Sequence, residues 1–470
     1  MHDAGMPAAL TPPKLIALTV ACMLFMEQLD GTILSTALPA IAKSLDITPV
    51  TASVALTSYI LGLAIVIPAS GAISDHLGSR RTLFLAISIF IIFSFTCGIS
   101  SNLTMLAASR TFQGMGGALM VPVGRLVLLQ NVQKSELLKT MTWMMLPATL
   151  GPLLGPVLGG VITTSFSWRW NFYINIPFGL LGLLMTWRFI PEIRENRQHR
   201  FDGKGMLLAG AALALISGGG EMISHAFRPL WVALLPIGTG ILLMTAYFRH
   251  MQRVEWPVLD FRLMRIATFR ISVLAGAATR IAIGALPFLL PSLLQVGFGL
   301  TAARSGFITF AGAIGAVSVR AIVPYMFRTF GFRNIMLITC TTGTLAILAM
   351  SVIQPGWPLW PMALLLGVSG FIQATQFSAY NTIAYADIPQ EKMSAATAFY
   401  TTFQQIMLST GISVAAMSVT LSRMARGESV AGAFDFDMGL IVSGIAALMA
   451  IPFIMQLRKD AGSDISGHIP

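Results

Sequence analysis

The chain predicts an all-α, polytopic membrane protein of about 14 transmembrane helices: two six-helix bundles with two helices inserted between them. Three observations carry this prediction. Hydrophobic residues make up 55% of the 470 and charged residues only 10%, with a mean hydropathy of +0.76, far from the balance of a soluble domain. Apolar segments of the roughly 20 residues that a bilayer crossing needs recur fourteen times. The basic residues are sorted by loop parity, which membrane insertion produces and solubility does not.

In chain order the spans are read at 14–42, 51–75, 82–101, 104–130, 138–165, 170–190, 205–224, 229–248, 268–296, 303–326, 333–353, 358–386, 393–421 and 438–457. Span one is interrupted by Glu27 and Asp30. Span two gives way to a glycine and arginine turn, GSRR at 78–81. Span four carries the polar series Arg110, Gln113, Arg125. Span five is broken up by glycine and proline, and span six lies between Trp168 and Trp170 at one end and Trp187 at the other. Spans seven and eight form the extra pair. Span nine contains Arg280, span ten runs to Arg320, and a second such turn, GFRN at 331–334, precedes span eleven. Trp357 and Trp360 anchor the start of span twelve, and Arg458 and Lys459 follow span fourteen.

With a cytoplasmic N-terminus, inside segments hold nineteen basic residues, from Lys14 to Lys459, and outside segments hold six: Lys43, Arg169, Arg228, Arg304, Arg423 and Arg426. The positive-inside rule then places both termini in the cytoplasm, with an even number of spans in the inner membrane. The net charge of +11 is therefore a topology signal and not a nucleic-acid footprint. The first span is expected to target the chain, since no basic region, short apolar core and cleavage site precede it. Cys22, Cys97 and Cys340 all fall within spans, which argues against a disulfide framework or a metal cluster. No phosphate-binding loop of the GxxxxGK[ST] type occurs, so ATP is not expected as the direct energy source and no cofactor is implied.

The two turns recur at a similar offset to a second echo, NVQKSELLKTMT at 131–142 with DIPQEKMSAATA at 387–398. This spacing divides the chain into 1–190, a first six-helix bundle; 191–266, the inserted pair with its linkers; and 267–470, a second bundle. Parallel repeats of this kind hold their substrate between the halves near mid-membrane.

Span five contains GPLLGPVLGG at 151–160. Gly151, Gly155 and Gly159 are four apart, so they form a backbone groove on one helix face against which another helix can pack closely. Pro152 and Pro156 bend the same helix, and Gly160 ends the motif.

These residues resemble the major facilitator superfamily, and within it the fourteen-helix drug:proton antiporters of the QacA and EmrB type. QLDGTILSTALPAIA at 28–42 is similar to that group's first-span motif, and GAISDHLGSRR at 71–81 to the superfamily's loop motif, with Gly71, Asp75, Gly78 and Arg80 in register. RTFQGMGGA at 110–118 resembles the span-four motif, and 151–160 the antiporter motif. His76 and Ser79 depart from the loop pattern, where basic residues are usual. The resemblance implies that the loop contacts hold the two halves in one access state. The alternative is a helix-end cap at Asp75 and a tight turn at the glycines.

Charges inside the spans are the candidate chemistry, because an ionised group at mid-bilayer costs at least about 2.5 kcal/mol. Asp30 and Glu27, three apart, share one face of span one and are candidates for the coupling proton, with Arg110 as the partner on span four. A static ion pair that stabilises one packing is the competing reading. Gln113, Arg125, Arg280, Gln373, Gln376, Tyr380, Asn381, Tyr400, Gln404 and Gln405 are candidate walls of a substrate cavity, or polar contacts between helices. The interior charges outside span one are mainly arginines, which puts an organic anion in competition with the cationic drugs usual for such pumps. The remaining acid, Glu221, is expected to be solvated near the outer end of span seven. The 27 methionines read as packing, with a promiscuous lining as the alternative.

The expected function is export of a drug, toxic compound or organic anion by alternating access, driven by inward-moving protons. The alternatives are a transporter-like sensor or assembly partner without flux, and a proton symporter. An enzyme is not expected, since no nucleophile, base and orienting group converge by spacing. The implied partners are a small molecule, protons and the lipid bilayer; oligomeric state and any outer-membrane partner stay open.

Overall fold

The computed structural model describes residues 13–131, 134–192, 202–224, 231–466 and 468. Helices stand at all fourteen expected spans: α1 Pro13–Ser44, α2 Pro49–Leu77, α3 Ser79–Gly98, α4 Leu103–Asn131, α5 Lys134–Ser165, α6 Trp170–Tyr173 continued by Asn175–Phe189, α7 Gly203–Ser224 and α8 Trp231–Met251. They continue with α9 Ala267–Gly297, α10 and α11 within Ala302–Met350, α12 Leu359–Ile383, α13 Met393–Ala425 and α14 Ala433–Met455. The protein is thus a polytopic, all-helical membrane protein. Eleven helical stretches are both long and apolar enough to cross a bilayer on those grounds alone. The exceptions have local causes: α4 carries two arginines, α6 breaks at Ile174, and the side chains of 134–149 in α5 lie outside the described residues.

Proline and glycine shape the helices. Pro68 tightens α2 into a 3₁₀ turn at Ile67–Ala69, and Pro287 and Pro291 in α9 precede a π-turn at Leu293–Gly297. α10 runs into α11 through Gly331, whose φ of 71° and ψ of 164° break the helical path. Gly78, between α2 and α3, has φ 90° and ψ 150°. Only glycine occupies that region readily. The two turns read as echoes in the sequence therefore share one backbone conformation.

The apolar cores are distributed unequally between the two ends of the molecule. At one end a single cluster runs across both halves, from Leu34, Leu38, Leu56 and Phe172 to Phe288, Leu289, Ile353 and Phe436. At the other end the cores are separate: one around Phe90, Met120 and Val127 in the first half, one around Phe327, Phe332 and Ile454 in the second, and one around Tyr247, Leu263 and Phe399 that joins the inserted pair to the second half. The first end is also tied by polar contacts: Gln295 Nε2 donates to the Thr36 carbonyl at 2.9 Å, and the Ala303 amide to Thr164 Oγ1 at 3.1 Å. The molecule is closed at that end by apolar burial.

α7 packs against α8 and lies between α2 and α13. Glu221 on α7 is buried there, with Oε1 accepting from Thr57 Oγ1 of α2 at 3.1 Å and Oε2 from Ser413 Oγ of α13. This corrects the expectation of a solvated Glu221. The inserted helix docks on both halves, and two hydroxyls replace the water its carboxylate would otherwise hold. A cleft of about 430 Å³ lies beside it, lined by Thr57, Thr111, Ser217 and Ser409 among others.

Candidate functional site

The buried ionic centre sits where α1, α3, α4 and α6 meet. Asp30 on α1 and Arg110 on α4 are each only 1% exposed, with Nη1 2.6 Å from Oδ2. Asp30 Oδ1 accepts from Gln113 Nε2 at 3.1 Å and from Asn175 Nδ2 of α6 at 2.7 Å. Ser94 on α3 accepts from both amides, at 3.1 and 3.0 Å, and donates to the Phe172 carbonyl at 2.9 Å. Arg110 also donates to Gln113 Oε1 at 2.8 Å and through Nε to the Ala55 carbonyl at 3.2 Å. Its guanidinium lies 4.1 Å above the Tyr59 ring. A charge pair removed from water persists only when its remaining donors and acceptors are met in this way.

Helical geometry brings these groups together. Arg110 and Gln113 are three apart and so share a face of α4. Glu27, three residues before Asp30, is 6% exposed and accepts from Gln28 Nε2 at 2.6 Å. Gly117, two turns beyond Arg110, leaves it room: an added Cβ would lie 3.1 Å from Tyr59 Oη and 3.4 Å from Glu27 Cγ. Sequence reasoning missed Asn175, Ser94 and Tyr59. An asparagine inside the apolar run WNFYINIP was the available signal for Asn175; Ser94 and Tyr59 carried none.

The glycine motif of α5 holds the back of α1. Gly151 packs on Gln28 and Leu29, Gly155 on Thr32 and Ile33, and Gly159 on Ile33 and Thr36, each so close that a Cβ would collide. Gly160 faces Ala302 of α10 instead, and Gly306 of α10 faces the Pro156 carbonyl. One helix thereby backs the Asp30 segment and bridges to the other half. Pro152 is half-buried on the same helix.

In the second half the corresponding cluster has no acid among the described residues. Arg280 on α9 is 1% exposed and donates through Nη2 to Tyr400 Oη of α13 at 2.6 Å. Tyr400 Oη lies 3.0 Å from Ser272 Oγ, which donates to the Tyr380 carbonyl at 2.7 Å. Gln376 and Tyr380 are buried nearby on α12. Gln373 donates within its own helix to Ser369 Oγ at 2.7 Å, Asn381 donates to the Phe377 carbonyl at 2.7 Å, and Gln404 is half-buried. Arg125 is exposed toward the end where the cores separate, away from the Asp30 network. Gln113, expected on a cavity wall, is fully buried in the Asp30 shell. The Arg320 side chain lies outside the described residues.

At the α2–α3 turn Gly71 is exposed, Asp75 half-buried and Gly78 buried. Arg80 donates to the Trp187 carbonyl of α6, within the same half. Among the described residues no group of three or more His, Cys, Asp or Glu side chains is placed to hold a metal ion.

Comparison with known proteins agrees with this architecture. The chain is 36% identical over 405 residues, 85% of its own length and 84% of the relative's, to a Salmonella typhimurium protein named "Putative multidrug resistance protein MdtD". Its fold matches crystal structures of an auto inhibited POT family peptide transporter (TM-score 0.68, 13% identity, 95% of this chain and 97% of that one) and a D-xylose-proton symporter (TM-score 0.67, 14% identity, 94% and 97%). The family model described as Major Facilitator Superfamily matches residues 20–412. With fourteen helices, two matching glycine turns and that match over most of its length, the chain belongs to the major facilitator superfamily of membrane transporters.

Proposed function

We propose that this transporter is a proton-driven antiporter that exports a small molecule across the inner membrane by alternating access, needing no cofactor beyond the proton gradient. The observation that carries the reading is the Asp30–Arg110 pair: an acid fully buried at mid-helix, held by Gln113 and Asn175 and backed by the glycine groove of α5. A proton arriving at Asp30 removes its charge and leaves Arg110 buried without an anion. That state is costly, and a rearrangement of α1 against α4 and α6 relieves it. Because α5 packs on α1 and also on α10, such movement reaches the second half.

With both termini cytoplasmic, the closed end is the outer one, so the chain rests open to the cytoplasm, ready to load cargo for export. Each proton entering contributes about 2.3 kcal/mol per 100 mV of membrane potential. The multidrug name of the MdtD relative is in line with an efflux role.

The test uses proteoliposomes with an imposed pH gradient and a panel of cationic dyes and organic anions. The native protein should show gradient-driven flux. Asp30→Asn should lose it while still exchanging substrate across the membrane at equal pH, because coupling is removed and binding is not. Gradient-driven flux at native rate in Asp30→Asn would overturn the coupling role. Absence of any flux from the folded native protein would favour a non-transporting sensor.

A further inference from the structure

Arg280 differs from Arg110 in one respect that the fold does not explain. Both guanidinium groups are buried at mid-helix, but among the described residues no carboxylate lies within 4.0 Å of Arg280. Its Nη1 and Nε are buried and have no hydrogen-bond partner among the described residues. A buried cation without a counter-ion, with N–H groups left unpaired, is destabilising.

The surroundings hold the guanidinium in that condition. Ser272 donates its proton to the Tyr380 carbonyl, so its oxygen is left to accept from the Tyr400 hydroxyl; Tyr400 oxygen in turn accepts from Arg280 Nη2. The chain of bonds runs one way, and its open end is a donor. The Tyr400 ring lies 4.7 Å and the Phe377 ring 5.8 Å from the guanidinium carbon, giving aromatic walls. Gly276, one turn earlier on α9, makes the space: a Cβ there would collide with Nη1. Beyond the site, α9 has its two prolines and the π-turn, where its hydrogen-bond ladder is already interrupted and bending is cheap.

We infer that Arg280, fixed by Tyr400 and Ser272 over Gly276, is the recognition site for an anionic group on the transported molecule, a carboxylate or sulfonate carried on an apolar or aromatic body. A guanidinium with unpaired N–H groups, its Nη2 keeping a second N–H beside Nη1, suits the oxygens of such a group. The aromatic walls suit its apolar remainder. The inference rests on the exporter reading for calling the ligand a substrate, but the site itself is tested by binding alone.

The measurement is thermal unfolding of the full-length protein in detergent against benzoate, benzenesulfonate and, as the cationic probe, tetraphenylphosphonium. The two aromatic anions should raise the apparent Tm in a concentration-dependent way, and Arg280→Gln should weaken their binding by roughly thirtyfold or more. Arg280→Lys keeps the charge without the fork and should fall between the two; it also serves if Arg280→Gln does not fold. Anion binding by a native protein that shows no gradient-driven flux, lost in Arg280→Gln, would count against the exporter reading and leave the site standing. Protection by tetraphenylphosphonium alone, anion binding unchanged in Arg280→Gln and Arg280→Lys, or equal protection by chloride and sulfate would each overturn the assignment.

Discussion

Asp30 accepts hydrogen bonds from three side chains on two helices other than its own, and Ser94 orients two of those donors. Asp30 and Arg110 were legible in the sequence because a charge in an apolar run has few bland explanations. Their shell was not, since Asn175 and Ser94 come from segments far along the chain and nothing local ties them to span one. Glu221 was misread for the same reason: a carboxylate near a helix end reads as solvated until the helices beside it are known. The shell makes a prediction at this scale. Asn175→Ala removes one donor from both Asp30 and Ser94, and should lower stability by about 1–2 kcal/mol while leaving transport active. If Asn175 tunes the proton site, the pH midpoint of gradient-driven flux moves as well. A drop in Tm with an unmoved midpoint would reduce it to a packing residue.

At the scale of the elements, spacing did more of the work. Glycines four apart predicted a groove on α5, and α1 fills it; what spacing does not give is the partner on the other side, since Gly160 turns to α10. The turns GSRR and GFRN looked alike over only two positions, yet Gly78 and Gly331 adopt nearly the same positive-φ, extended-ψ conformation. Backbone geometry is the stronger evidence of a repeat, because side chains on either side have diverged while the turn's requirement has not. Gly78→Ala and Gly331→Ala should each destabilise the protein by about 1–3 kcal/mol, seen as a lower Tm, and the double variant should show the sum of the two. Gly71, in a helix with open space around its Cβ position, is the control: Gly71→Ala should change Tm little. Equal tolerance at all three positions would remove the argument from the turn.

Across the whole molecule, one continuous apolar core closes one end and separate cores flank the other. The distribution of basic residues read that second end as cytoplasmic before any contact was known, and Arg125 is exposed toward it. The closure itself was not legible, because which residues of the two halves meet depends on the access state and not on helix periodicity. In a background with Cys22, Cys97 and Cys340 replaced by serine, Arg125→Cys should react with a membrane-impermeant thiol reagent applied from the cytoplasmic side, and Thr36→Cys, fully buried at the closed end, from neither. An inward proton gradient should draw part of the population into the opposite state, slowing Arg125→Cys and exposing Thr36→Cys to reagent from the outer side. Reaction of Arg125→Cys only from outside would invert the topology, and with it the direction of transport that the resting state implies. Unchanged rates at both positions under a gradient would mean that the closed end does not open in response to protons, and the link from Asp30 through α5 to the second half would fail.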